Sequence, residues 1–255
     1  MTPDRFAPLA PNDAGLLHRE LAAMDPDRAL SLAFLPDAAR GAGLALARFF
    51  AEAENIPARV TEPMMGAIRV QWWREALDEA YGRGWCRAHP LVRALRATAD
   101  PGDRPALEAA LDAVPAFLEA GNLVGTESLI AARDPFAGGC ADVLGARIGA
   151  ERGQASVRRV AAIAAVARTL CRPPVAARSE AVETPAQRVA RAAGDEDSLY
   201  ASLRTAHDAV RADVPRDAIA AVLPAALTPA YLTGREPGPL RKRVAMTLAT
   251  ARGRL

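Results

Sequence analysis

The chain has 255 residues, room for one large domain or two small ones. Thirty-two basic against thirty acidic residues leave a formal charge of +2, which removes any bulk electrostatic case for nucleic-acid binding. Hydrophobic residues make up 51% of the chain and aromatics only 5%, so Ala, Leu and Val must fill the core.

The predicted elements are helices throughout. Asp13 caps a first helix that runs to about Met24, and Asp25-Pro26 breaks it. Asp27 caps a short second helix, and Leu35-Pro36 breaks again. Asp37 opens a third helix, to Glu54 or Asn55, and Pro57 and Pro63 bracket a loop. The central helix runs from about Met64 to Tyr81 and ends at Gly82. Further helices are expected at about 90–99, 104–120, 126–149, 155–171, 186–193, 197–213, 216–232 and 238–252. Alternating β-branched runs joined by hairpin turns do not occur. The chain reads as one all-α domain, residues 1–255, with an extended N-terminal arm (1–12) and a basic C-terminal helix (238–255).

Cys86, Cys140 and Cys171 are far apart and form no C-x-x-C pair, so neither a zinc site nor a disulfide framework is expected. The N-terminal MTPDRFAPLAPND has no apolar core of a signal peptide. The longest apolar runs, Val160–Ala167 and Ala218–Leu227, fall short of the roughly 20 residues of a spanning helix. The expected location is cytoplasmic, with any inner-membrane association made through other subunits.

The stretch EPMMGAIRVQWWREALDEAY, Glu62 to Tyr81, resembles a signature of the squalene/phytoene synthase family. There a Glu-Pro turn, a Gly and an Ile-Arg-x-Gln-Trp-Trp-Arg run open a long central helix. The DPDR at 25–28 with the helix after it, and the segment from Leu203 to Leu232, are similar to other parts of the family. The resemblance implies the isoprenoid synthase fold. Within the family the chain is most similar to bacterial relatives of a mitochondrial complex I assembly factor.

The enzymes of this family are expected to carry two D-x-x-x-D motifs on opposed helices, because ionising an allylic diphosphate needs Mg²⁺ on the leaving group. Carboxylates four residues apart share a helix face. At the first position this chain has Glu52 and Glu54, about 200° apart around a helix. At the second, Arg172 is followed by Pro173 where the family has Asp. Both motifs fail. The acidic run Asp195-Glu196-Asp197 resembles part of the second, but it reads as the N-cap of a new helix. No metal and no cofactor is expected.

Arg69 falls in the apolar arc of the central helix, between Trp72 and Trp73, and Glu54 lies on an apolar side of its own helix. A buried charge needs a partner. The expectation is a buried Arg69–Glu54 pair, with Glu62 as the alternative partner. Trp72 and Trp73 are expected to anchor the core. His18, His89 and His207 have no ligand partner at i+4, and Ser128, Ser156 and Ser198 lack a nucleophile-elbow setting. Gly138-Gly139 reads as a helix-packing segment. Arg241, Lys242, Arg243, Arg252 and Arg254 form a candidate docking surface for an acidic protein or anionic lipid headgroups.

The resemblance implies a non-catalytic protein that contacts respiratory complex I subunits, as an accessory subunit or an assembly factor. Two alternatives remain at this level: a lipid or isoprenoid carrier using the fold's apolar cavity, and a divergent Mg-dependent prenyl-diphosphate synthase using Glu52, Glu54 and residues 195–197.

Overall fold

The computed structural model describes residues 9–60, 62–118, 125–171 and 196–255. Among them there is no strand. The helices in chain order are α1 (Pro11–Met24), α2 (Pro26–Ser31), α3 (Asp37–Arg59), α4 (Pro63–Tyr81), α5 (Pro90–Ala97), α6 (Arg104–Leu118), α7 (Gly125–Arg133), α8 (Gly139–Arg147), α9 (Ala155–Cys171), α10 (Glu196–Val210), α11 (Thr228–Tyr231) and α12 (Pro239–Arg252). The helix expected at 186–193 lies outside the described residues.

The helix at the centre is α3, not α4. Every residue from Gly41 to Ala53 is buried, so α3 is enclosed on all sides. Its small residues allow that closeness. A Cβ on Gly43 would stand 2.6 Å from Leu35 Cδ1. α3 packs against α1, α5, α6 and α8. It also runs one turn further than its sequence suggests, through Pro57 to Arg59. Arg59 Nη1 reaches back to Glu52 at 3.2 Å, across that last turn.

α4 buries a narrow seam of Gly66, Val70, Trp73, Leu77 and Ala80, spaced four and three residues apart in turn, with Ala76 buried beside it. Met65, Ile68 and Arg69, expected on the buried arc, fall outside this seam and are exposed. Trp73 is 4% exposed and meets Phe49 of α3 edge-on, with ring centroids 5.5 Å apart. Such a pair adds about 0.5–1.5 kcal/mol beyond its buried area. Trp72 is half-buried, with the Arg87 guanidinium 4.4 Å above its ring.

Two expected helices are broken by proline. The segment 126–149 divides into α7 and α8 around a π-helical turn, Asp134–Gly138. Pro135 has no N–H to donate and its ring crowds the preceding turn, and the wider turn absorbs this. Residues 216–232 form two 3₁₀ segments, Arg216–Ala221 and Leu223–Leu227, before α11, because Pro224 and Pro229 interrupt the ladder. At the other end of the chain, Asp25 rather than Asp27 caps α2, accepting a hydrogen bond from Arg28 N at 3.0 Å. Asp13 lies inside α1 and accepts from Arg93 of α5 instead.

The packing forms two apolar clusters. One joins α1 to α6 with Phe136, Cys140, Val143 and Leu144. The other joins α7, α9 and α10 with the 3₁₀ segments and α12. Gly138 and Gly139 serve the contact between elements: the first lies on the backbone of Arg158 in α9, the second on Phe50 of α3.

Candidate functional site: a buried charge network

Polar side chains from α2, α3, α7, α9 and α12 meet in the interior. Asp25, Asp27 and Arg28 come from the start of α2, where the Asp25 cap fixes the backbone. Glu54 comes from α3, Arg133 from the last turn of α7, Arg168 from α9, and Lys242 from α12.

Glu54 accepts a hydrogen bond from Arg133 Nη1 at 2.6 Å, and the two side chains are 7% and 8% exposed. Asp25 faces Arg28 Nε at 3.4 Å and also pairs with Arg168. Asp27 accepts the Tyr231 hydroxyl proton on one oxygen and faces Lys242 Nζ at 2.8 Å with the other. Lys242 Nζ also donates to Glu236 at 2.7 Å and lies 5.6 Å from the centre of the Tyr231 ring.

The electrostatics follow from this mixture. Burial raises the Asp25 carboxyl, but the Arg168 and Arg28 guanidiniums outweigh it and hold the group below its ordinary range. Burial lowers Arg168, and the carboxylates of Asp25, Glu54 and Asp27 overcome that and raise it. Burial lowers Arg133, and Glu54 only partly restores it. Burial and Asp27 push the Tyr231 hydroxyl up. Cys140, buried beside this group, is pushed up to about 11 by burial, so it is a neutral thiol and not a nucleophile at neutral pH.

Arg28, Arg133, Arg168 and Lys242 balance Asp25, Asp27, Glu54 and Glu236. Every one of these carboxylates already contacts a guanidinium or ammonium group. A magnesium cluster of the kind the synthase resemblance implies does not fit this donor set. Its ligands would have to leave buried cations, stranding their charge. Among the described residues no group of three or more His, Cys, Asp or Glu side chains could hold a metal ion.

The expected Arg69–Glu54 pair is therefore corrected. Arg69 is exposed on the rim of α4, and so is Glu62. Glu54 is buried as expected but faces Arg133. Glu52 points elsewhere, to Arg48 at 2.9 Å and Arg59 at 3.2 Å. Lys242 is corrected as well: it is 7% exposed and belongs to the interior network, whereas Arg241, Arg243, Arg252 and Arg254 are exposed. Arg172 and Asp195 lie outside the described residues, and Asp197 is exposed in the first turn of α10.

Sequence reasoning missed Asp25, Arg28, Arg133 and Arg168 as one group. It also missed Asp103, which is fully buried and held by Arg147 Nε at 2.9 Å and Arg152 Nη2 at 2.8 Å. The DPDR run was the available signal, since two acids and an Arg at a helix start can be satisfied together only by other elements.

The described residues are helical with no strand, an all-α architecture consistent with the isoprenoid synthase fold class. The squalene/phytoene synthase family model matches residues 21–130, from the second half of α1 into α7, less than half of the chain. No curated protein and no solved structure matches the chain.

Proposed function

We propose that this chain is a non-catalytic, synthase-like protein that acts on respiratory complex I by protein–protein contact, as an accessory subunit or an assembly factor. The observation that carries the non-catalytic reading is the pairing of Glu54 with Arg133 and of Asp25 with Arg168 in the bundle interior. In a prenyl synthase, interior carboxylates must be free to hold metal against a diphosphate. Here protein cations neutralise them, and an incoming dianion would have to compete with Asp25, Asp27 and Glu54 for those same groups. The network's ion pairs tie α3 to α7, and α2 to α9 and α12, which suits a scaffold.

The choice of complex I rests on the resemblance of residues 25–81 and 203–232 to the branch that contains its assembly factor, an argument from likeness. One exposed surface is suited to a protein partner. Met64, Met65 and Ile68 on the first turns of α4 are 71%, 52% and 57% exposed. Methionine adapts to an irregular partner surface, and apolar residues of this size concentrate in interface cores.

The test is recovery of the tagged protein from gently solubilised native membranes, with mass spectrometry of what accompanies it. Complex I subunits in the eluate are the expected result. Mature subunits in stoichiometric amount mark an accessory subunit, and immature subcomplexes alone mark an assembly factor. Recovery without complex I peptides overturns the partner. Mg²⁺-dependent release of pyrophosphate from a prenyl diphosphate, lost in Glu54→Ala, overturns the non-catalytic reading.

A further inference from the structure

α12 has two unlike faces. Its inner face carries Lys242, Met246 and Ala249, all buried, with Lys242 held by Asp27 and Glu236. These contacts fix which side of the helix looks outward. The outward side bears Leu240, Val244 and Leu248, which are 75%, 49% and 42% exposed, with Ala251 among them. At about 100° per residue these four share an arc of roughly 80°. Arg243 lies about 60° from Leu240 on one side of the ridge, and Arg241 and Arg252 flank Leu248 on the other. Arg254, also exposed, follows just beyond the helix end at Gly253.

The helix contains no Asp or Glu. Among the described residues Arg241, Arg243 and Arg252 form no ion pair, whereas somewhat more than half of the described arginines do. An apolar ridge between two rows of uncompensated arginine is thus left facing solvent. We propose that this face docks on the surface of an anionic lipid bilayer. Leu240, Val244 and Leu248 enter the boundary between headgroups and acyl chains, and the arginines reach lipid phosphates on either side. Charge complementarity selects lipid over a protein partner. A continuous anionic surface meets both arginine rows at once, and the ridge has no Trp or Tyr of the kind that anchors protein interfaces. The inference does not depend on the complex I reading: it gives the chain its own attachment to a membrane, where that reading needs only other subunits.

The experiment is co-sedimentation of the full-length protein with vesicles of phosphatidylcholine alone and of phosphatidylcholine mixed with phosphatidylglycerol. Binding to the mixed vesicles only, weakened by salt, is expected. The variant Arg241→Gln/Arg243→Gln/Arg252→Gln should lose about fivefold in affinity per charge, on the order of 100-fold in all. The variant Leu240→Gln/Val244→Gln/Leu248→Gln should also lose binding. All six positions are exposed, so both variants should keep the wild-type circular dichroism and thermal midpoint. Absence of binding to the mixed vesicles overturns the proposal. So does binding that neither variant changes, which would place the lipid contact elsewhere. Self-association abolished by the Leu240/Val244/Leu248 variant, or cross-linking of this face to a partner protein, overturns it when found without vesicle binding.

Discussion

Glu54 and Arg133 are 79 residues apart in the chain and 2.6 Å apart in space, and both are buried. The contact ties α3, enclosed in the first apolar cluster, to α7, which belongs to the second. Its removal should therefore be felt by both halves. Glu54→Ala leaves the Arg133 charge buried without its carboxylate and should cost about 3–5 kcal/mol in denaturant unfolding. Replacing the pair together, Glu54→Leu with Arg133→Met, should recover most of that loss, because each charge loses its desolvation penalty along with its partner. A double variant as unstable as Glu54→Ala would show that the pair does more than neutralise charge.

The pair also marks the boundary of what the sequence can reveal. That Glu54 sits on an apolar side of α3 was legible from helical periodicity alone, and so was its need for a cation. Its partner was not. Arg133 lies just before Asp134-Pro135, and the π turn forced there sets where the α7 terminus stands. A periodicity reading that runs 126–149 as one helix cannot place it. Arg69 misled for a related reason. An apolar arc drawn over α4 takes in Met65, Ile68 and Arg69, but the buried seam is only wide enough for Gly66, Val70, Trp73, Ala76, Leu77 and Ala80. The all-helical class and most helix starts were legible because Asp and Pro mark them. The burial of α3 on every side was less so, since Ala and Gly carry little amphipathic signal.

Asp25 gives the network a pH signature. Its carboxyl lies below the ordinary 3.8 in the folded protein because Arg168 and Arg28 outweigh burial. A depressed folded value means the group stabilises the fold above its unfolded pKa, and that this contribution is lost as pH falls through the folded value. Unfolding free energy should thus drop below about pH 4. Asp25→Asn should be less stable than wild type at neutral pH and converge toward it in acid. A constant difference across the acid limb would show that Asp25 contributes as a cap and not as a charge.

The cysteines should separate by reactivity. Cys140 is 1% exposed, and its thiol is pushed up to about 11 by burial. Cys171 is half-buried and shifted upward, with its sulfur 3.0 Å from the Tyr231 carbonyl oxygen. Cys86 is half-buried on the loop after α4. Iodoacetamide at neutral pH should modify Cys86 first, and Cys140 only as fast as the protein unfolds. Peptide mapping over a time course reads this order. Modification of Cys140 at the rate of Cys86 would show that the interior network opens without global unfolding.

Gly138 holds α9 close to the π turn. A Cβ there would collide with the Asp134 carboxylate and stand 3.1 Å from the Arg158 carbonyl oxygen, which is backbone and cannot swing aside. Gly138→Ala should cost about 1–3 kcal/mol by overpacking. At Gly84 a Cβ meets nothing within 4 Å, so Gly84→Ala should stay within about 0.5 kcal/mol of wild type. The two substitutions differ in more than stability. Arg158 and Arg168 lie on the same helix, so pushing α9 outward draws Arg168 away from Asp25. Gly138→Ala should therefore also raise hydrogen exchange at the Arg28 amide, which donates to Asp25. Unchanged exchange at that amide, together with a stability loss, would confine the damage to the π turn and leave the charge network independent of it.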